Sequence, residues 1–391
     1  MIKKYLLFSG LAFVLILACS NENTPDKKEG SAAAPQAAFS PDKVTQAKIY
    51  RLDTLFQHLY KANLFNGNVL VAQKGYILYQ KSFGVADNTK KINLSDSSVF
   101  QLASVSKTIT AASILKLVEA HKLDLKDDVQ KHLPEFPYKG VSIENLITHR
   151  SGLPNYLYFC YPYCKDASLK LSNASILDLM QQHKPASYAK PGFRFNYSNT
   201  NYMLLALIVE KVSGHSFKDF VRAEIFKPLG MNHTYFIDEL DQQNDSIKTI
   251  GYTVKMKEVG YDAFDYVLGD KGVYSTTNDM YLFADAYFTG KLISKQWLDL
   301  AIQPYSPEIK THNYGYGWRM KNYALPEKMV FHNGWWHGYR TALQRRIQDS
   351  TTIVVLSNRL NSSVYQTYKI LQALDGQTSV NNKGEEENES E

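Results

Sequence analysis

The sequence predicts an α+β fold: one antiparallel sheet assembled from segments at both chain ends, flanked by helices, with a helical insertion packed beside it. Three observations carry this expectation. Asn68–Ala72 and Tyr76–Tyr79 are apolar runs separated by Gln73-Lys74-Gly75, the signature of a β-hairpin. The middle of the chain has helical periodicity and many loop residues. Strand-type runs return only after about residue 314. No repeat of fixed period occurs, and no glycine-rich phosphate loop follows a strand, which argues against a nucleotide fold.

The elements follow in order. From Ser104 to about His121, apolar residues Val105, Ile109, Ala112, Leu115 and Val118 recur at helical spacing, and Lys122–Asp128 breaks the pattern. Met203–Val212 is an apolar helix ended by Ser213-Gly214. Phe217–Ile225 is a second, stopped by Pro228-Leu229-Gly230, and Asp279–Tyr287 a third. Strands are expected at Gly317–Met320, Met329–Phe331, Tyr339–Ile347 and Thr351–Leu356, the last pair joined through Gln348-Asp349-Ser350. A helix over Val364–Leu374 closes the domain.

Four segments result: an export signal at 1–18, a tether at 19–45, a folded domain at 46–376 and an acidic tail at 377–391. The start carries Lys3 and Lys4, then an apolar run to Ala18 that is short for a membrane span. Ile16-Leu17-Ala18-Cys19 resembles a bacterial lipoprotein signal, which implies lipidation at Cys19, a membrane attachment and a place in the cell envelope, facing the periplasm or the outside. An ordinary secretory signal or an anchor helix is the alternative. The tether is polar and Ala-rich with nothing to pack. The formal charge of +6 is modest, and Lys and Arg are scattered over the 391 residues, so no nucleic-acid partner is expected. Nothing in the sequence sets an oligomeric state.

Beyond Cys19, Cys160 and Cys164 flank Tyr161-Pro162-Tyr163. An even pair in an oxidising compartment suggests a small disulfide loop, with two free thiols as the alternative. No metal is expected: His149, His233 and His337 lack metal-ligand spacing or neighbouring carboxylates. No Gly-x-Ser-x-Gly elbow is present, which argues against an α/β-hydrolase.

The chemistry lies in three ordered motifs: Ser104-Val105-Ser106-Lys107, Tyr197-Ser198-Asn199 and His332-Asn333-Gly334. Ser-x-x-Lys alone is weak, since it also occurs at Ser40–Lys43 and Ser187–Lys190. Together the motifs supply a hydroxyl, an amine one helical turn away, a phenol, an amide and a glycine-opened strand edge, which suits acyl transfer through a covalent serine. Lys107 and Tyr197 are both candidates for the base, sharing a proton as a coupled pair. Asn199 is placed to hold Lys107 or a substrate amide. His332 is a candidate to bind a substrate carboxylate or to tune Tyr197 by its charge. Gly334 would let a substrate lie against the backbone, and the N–H groups of Trp335 and Ser104 would form an oxyanion hole. Asn333 completes this substrate-binding edge.

The motif set resembles the serine β-lactamase and penicillin-binding-protein superfamily, on the branch nearest class C β-lactamases and D-Ala-D-Ala carboxypeptidases. The resemblance runs from about Phe65 to Leu356 and includes Asn145–Pro154, Pro228–Met231, Gly272–Ser275 and Tyr314–Trp318. It implies a β-lactamase/transpeptidase-like fold, with Ser104 acylated, Lys107 its partner, Tyr197 the general base and no cofactor. Class C β-lactamases typically carry Lys-Thr-Gly where this chain has His-Asn-Gly, so a fixed cation for the substrate carboxylate is missing at that position at neutral pH. The resemblance therefore implies hydrolysis of a peptide, amide or ester, a D-amino-acid peptide of cell-wall type above all. A weak β-lactamase, or a non-turnover penicillin-binding or sensing module, is the alternative.

Overall fold

The expected hairpin forms around Lys74 and Gly75, both at positive φ (53° and 84°), a two-residue turn whose twist matches that of the strands it joins. The structure, a computed structural model, describes residues 41–164, 169–309, 312–321 and 327–377. The export signal, Cys19, the tether up to residue 40 and the tail from residue 378 onward lie outside the described residues.

The principal elements are α1 (Lys43–Lys61), β1 (Gly67–Gln73), β2 (Tyr76–Phe83), α2 (Ser106–Glu119), α3 (Asn199–Ser213), α4 (Thr277–Phe288), β3 (His312–Tyr314), β4 (Arg319–Lys321), β5 (Met329–Trp336), β6 (Tyr339–Arg346), β7 (Thr351–Ser357) and α5 (Thr367–Asp375). The seven strands form one antiparallel sheet in the order β2-β1-β7-β6-β5-β4-β3. The N-terminal hairpin thus docks on the last strand, with Val69 opposite Val355, and the expected α+β architecture is the observed one.

Alternation along the central strands divides the core. Val69, Val71, Ile353 and Val355 face α1 and α5, meeting Leu52, Phe56, Ile370 and Leu374. Leu70, Val354 and Leu356 face the larger core, which holds Ile109 of α2, Leu204 of α3 and Met280 of α4. Both faces are covered, so these strands read as continuous apolar runs. The helix α2 is buried almost all round, and two of its hydroxyls fold back on the local main chain: Thr108 Oγ1 donates to the Val105 carbonyl at 2.8 Å and Ser113 Oγ to that of Ile109 at 2.9 Å.

Two helix boundaries and the cysteine pairing differ from expectation. Residues 43–45, assigned to the tether, are the first turn of α1, capped by Asp42, whose carboxylate accepts from the Thr45 N–H at 2.7 Å. Its buried stripe is only Leu52, Phe56 and Leu59, too sparse to stand out among polar neighbours. The helix from Phe217 does not end near Ile225: it passes through a π-turn at Arg222–Phe226 and stops at Gly230, in the left-handed region. Cys160 and Cys164 are two separate thiols, not a disulfide. The turn Tyr161–Tyr163 sets both toward the large apolar core, where burial holds the Cys160 thiol protonated and inert.

Candidate active site

Ser104 does not cap a helix. It lies in a 3-10 turn, Ala103–Val105, that leads into α2, and Ala103 before it has φ 48°, a conformation that needs support from its surroundings. Ser104 is half-buried in a run where its neighbours are fully buried. That support comes from β5. A Cβ on Gly334 would lie 2.3 Å from the Leu102 carbonyl oxygen and 3.1 Å from Ala103 Cβ. Gly334 therefore serves the close approach of β5 to the serine turn, not the approach of a substrate, which corrects the role expected of it. From β6, Thr341 Oγ1 donates to the same Leu102 carbonyl at 2.7 Å.

One helical turn on, Lys107 is fully buried. Its Nζ lies 3.0 Å from Ser104 Oγ, 2.7 Å from Asn199 Oδ1 and 3.0 Å from the Asp270 carbonyl oxygen. An ammonium has three N–H groups, one for each of these oxygens. A neutral amine in the same place would keep two of those bonds and turn its lone pair to the serine hydroxyl. The geometry accommodates both protonation states.

Tyr197 and Asn199 come from the extended segment before α3 and from its first residue. The Tyr197 ring centre is 5.0 Å from Lys107 Nζ and 5.1 Å from the Arg319 guanidinium, so two cations face one phenol. The His149 ring packs against it at 4.2 Å between centroids. His149 is fully buried, and its Nδ1 accepts from the Ser198 N–H at 3.2 Å and the Asn201 amide at 3.0 Å. Burial, then the charges of Lys107 and Arg319 with His332 beside them, holds its pKa well below 6.5, so it packs as a neutral ring.

His332 is also fully buried. Its Nδ1 donates to the Asn333 carbonyl at 2.8 Å, and its Nε2 lies 3.1 Å from the Tyr314 hydroxyl, which burial keeps protonated as the donor. Burial first, then Arg319 and Lys107, push its pKa well below 6.5. His332 is thus a neutral hydrogen-bonding link and neither a cation for a carboxylate nor a source of charge for tuning Tyr197. The charge beside His332 and Tyr197 is that of Arg319 on β4, which strand register brings opposite Phe331 and Tyr314. No local pattern around Arg319 distinguishes it from a strand residue.

The β4 ladder on β5 stops at Phe331. From Asn333 to Trp336 that edge of β5 has no strand neighbour among the described residues, and Trp335 there is 45% exposed. Asn333, Gly334 and Trp335 therefore line an edge beside Ser104 that can accept an extended chain.

Beyond this edge, His337 meets carboxylates that sequence spacing did not reveal: its Nδ1 lies 3.0 Å from Asp265 Oδ2 and its Nε2 3.4 Å from Asp262 Oδ2. Burial opposes its charge, but hydrogen bonds and attraction from the two carboxylates outweigh this and raise its pKa to about 9. The three side chains are close enough to one another to hold a metal ion, and the two carboxylates favour the charged form of the ring between them.

Comparison with known proteins identifies the family. The model of the Beta-lactamase family matches residues 52–377. Penicillin-binding protein 4* of Bacillus subtilis is 36% identical over 82% of this chain and 74% of its own length. Protein flp of Staphylococcus aureus is 28% identical over 82% of this chain, which spans 64% of that protein. Among solved structures, the octameric penicillin-binding protein homologue from Pyrococcus abyssi superposes with a TM-score of 0.74 at 26% identity, over 84% of this chain and 78% of that one. The chain belongs to the Beta-lactamase family and is a serine hydrolase.

Proposed function

We propose that this protein is a lipid-anchored serine hydrolase of the bacterial envelope that cleaves a peptide or amide bond, or an activated ester, through an acyl-Ser104 intermediate. The observation that carries the reading is the Lys107 ammonium position, within hydrogen-bond reach of Ser104 Oγ and held by Asn199 and the Asp270 carbonyl. As Ser104 Oγ attacks the substrate carbonyl, its proton passes to the Lys107–Tyr197 pair. The new C–O bond leaves an oxyanion for the backbone N–H groups of Ser104 and Trp335. Collapse breaks the bond to the leaving group, which takes the proton from the pair. Water then repeats the sequence at the acyl carbonyl and frees Ser104.

Two cations beside the Tyr197 ring stabilise negative charge on its oxygen as the proton moves. Arg319 is also a cation close enough to the Tyr197 ring to meet a substrate carboxylate at the site, and the open edge of β5 suits an extended peptide. Similarity to a penicillin-binding protein supports a cell-wall type D-amino-acid peptide as the substrate class. The D-amino acid amidase from Ochrobactrum anthropi shares the fold at a TM-score of 0.70 and 20% identity. Cys19 would carry the lipid and hold the catalytic domain at a membrane surface.

A hydrolysis panel tests this reading. D-Ala-D-Ala peptides, D-amino acid amides and nitrophenyl esters would be offered to wild type and Ser104→Ala. Turnover of a D-configured peptide or amide that disappears in the variant supports it. Hydrolysis that survives in Ser104→Ala would contradict it. Incorporation of labelled palmitate, lost on Cys19→Ala, tests the anchor separately.

A further inference from the structure

A second lysine lies buried beside the site. Lys271, 3% exposed, and Asp270, 1% exposed, are adjacent in Gly269-Asp270-Lys271-Gly272. Lys271 Nζ is 3.2 Å from Asp270 Oδ2 and donates to the Tyr156 hydroxyl, which in turn donates to Asp270 Oδ2 at 2.9 Å. Burial and the Asp270 carboxylate keep the Tyr156 phenol protonated, so it serves as that donor throughout. The same ammonium lies 4.6 Å from the centre of the Trp336 ring.

Two parts of the acylation apparatus therefore meet at one ion pair. The main-chain carbonyl of Asp270 receives Lys107. The Trp336 ring follows Trp335, whose N–H the acyl-serine reading assigns to the oxyanion, and its Nε1 donates to Asp265 Oδ1 at 2.7 Å. Gly269 lets the loop approach α3: at φ 100°, a Cβ there would come within 2.4 Å of the Tyr202 carbonyl oxygen. We propose that Lys271 is a positioning residue, which through Asp270, Tyr156 and Trp336 fixes at once the carbonyl that orients Lys107 and the end of β5 that carries the oxyanion edge.

Stability does not account for the pair. A buried ion pair is commonly no more stabilising than apolar side chains of the same size, because both charges lose their water. Its distinctive property is directional. The carboxylate has Lys271 and Tyr156 on Oδ2, while Asp270 Oδ1 is buried with no hydrogen-bond partner among the described residues. Removing Lys271 alone would therefore strand a buried charge, and the informative variants are Asp270→Asn/Lys271→Met, which removes both charges, and Tyr156→Phe, which removes one hydroxyl.

This inference rests on the acyl-serine reading above. The test uses a fluorophosphonate as the probe, with the number of reactive sites titrated and the melting temperature recorded for each protein. The labelling rate per titrated site is expected to fall about ten-fold or more in the double variant and about three-fold in Tyr156→Phe, with the KM for an ester within about two-fold of wild type. A merely structural role would lower the melting temperature and the titrated fraction while leaving the rate per site unchanged, and that result would overturn the proposal. If the double variant does not fold, Tyr156→Phe decides. If wild type takes label from neither the fluorophosphonate nor a fluorescent penicillin, the acyl-serine reading has failed, and amide exchange decides the clamp. Faster exchange at both 269–272 and 335–338 in Tyr156→Phe supports it, and unchanged exchange overturns it.

Discussion

His332 and His337 stand five residues apart around the end of β5, yet they are held in opposite charge states. Burial and the nearby Arg319 and Lys107 keep His332 neutral. Asp262 and Asp265 keep His337 charged, with a pKa near 9 in spite of burial. The difference comes from burial and from charges that distant parts of the chain bring to each ring. The serine end of the strand already holds two cations, so a histidine there is useful only as a neutral link between Tyr314 and the Asn333 carbonyl. The turn end is acid-lined and anchors the strand through charge.

The largest way to break this contrast is to remove a cation. Lys107→Ala is expected to reduce the acylation rate by about three orders of magnitude, since it deletes both the partner of Ser104 and a charge that faces His332. Labelling kinetics with a phosphonate read this directly. Arg319→Gln comes next. The kcat/KM for a peptide with a free terminal carboxylate should fall by about ten- to a hundred-fold, and that for a neutral ester much less, because a charge-assisted hydrogen bond is worth about 1.5–3 kcal/mol. In the same variant the His332 pKa should move up toward 6.5, followed by NMR. An unmoved His332 would show that burial alone keeps it neutral.

pH separates the two histidines by sign. His337 has its pKa raised from 6.5 to about 9, so its stabilisation is complete below about pH 6.5 and is lost as the pH rises through 9. By linkage this amounts to about 3 kcal/mol. The stability advantage of wild type over His337→Gln should therefore shrink between pH 6.5 and 9 in denaturant titrations. His332 and His149 are depressed, so their contribution is present above about pH 6.5 and lost below it, as the unfolded chain binds protons first. His332→Asn should flatten the acid side of the stability profile and leave the alkaline side unchanged. The smallest effect belongs to Tyr314→Phe, which removes one hydrogen bond to His332 and should cost about 1 kcal/mol in thermal unfolding.

Local pattern and tertiary assembly divided the legibility of this molecule. The hairpin, the buried helix after Ser104 and the C-terminal strands could be read because their apolar residues recur at the period of the element. α1 could not, since three buried residues in nineteen leave little periodicity. At the site, Ser104, Lys107 and Asn199 were legible from motif order, and they are the groups brought into hydrogen-bond contact. Arg319 and the Asp270–Lys271 pair carry no local signature because strand register or loop packing brings them in. His332 was found by position and misjudged in charge, for its charge is set by groups outside its motif. Gly334 was found too, but the space a side chain would fill there belongs to Leu102, Ala103 and Thr341.

The central claim is that Ser104 becomes acylated. It is tested most directly by intact-mass measurement of residues 41–377 after exposure to a fluorescent penicillin and, separately, to a fluorophosphonate, with Ser104→Ala alongside. The account predicts a single adduct of probe mass in wild type from at least one probe, mapped to the peptide containing Ser104 and absent from the variant. Folded wild type without an adduct from either probe, or an adduct that persists in Ser104→Ala, would contradict it.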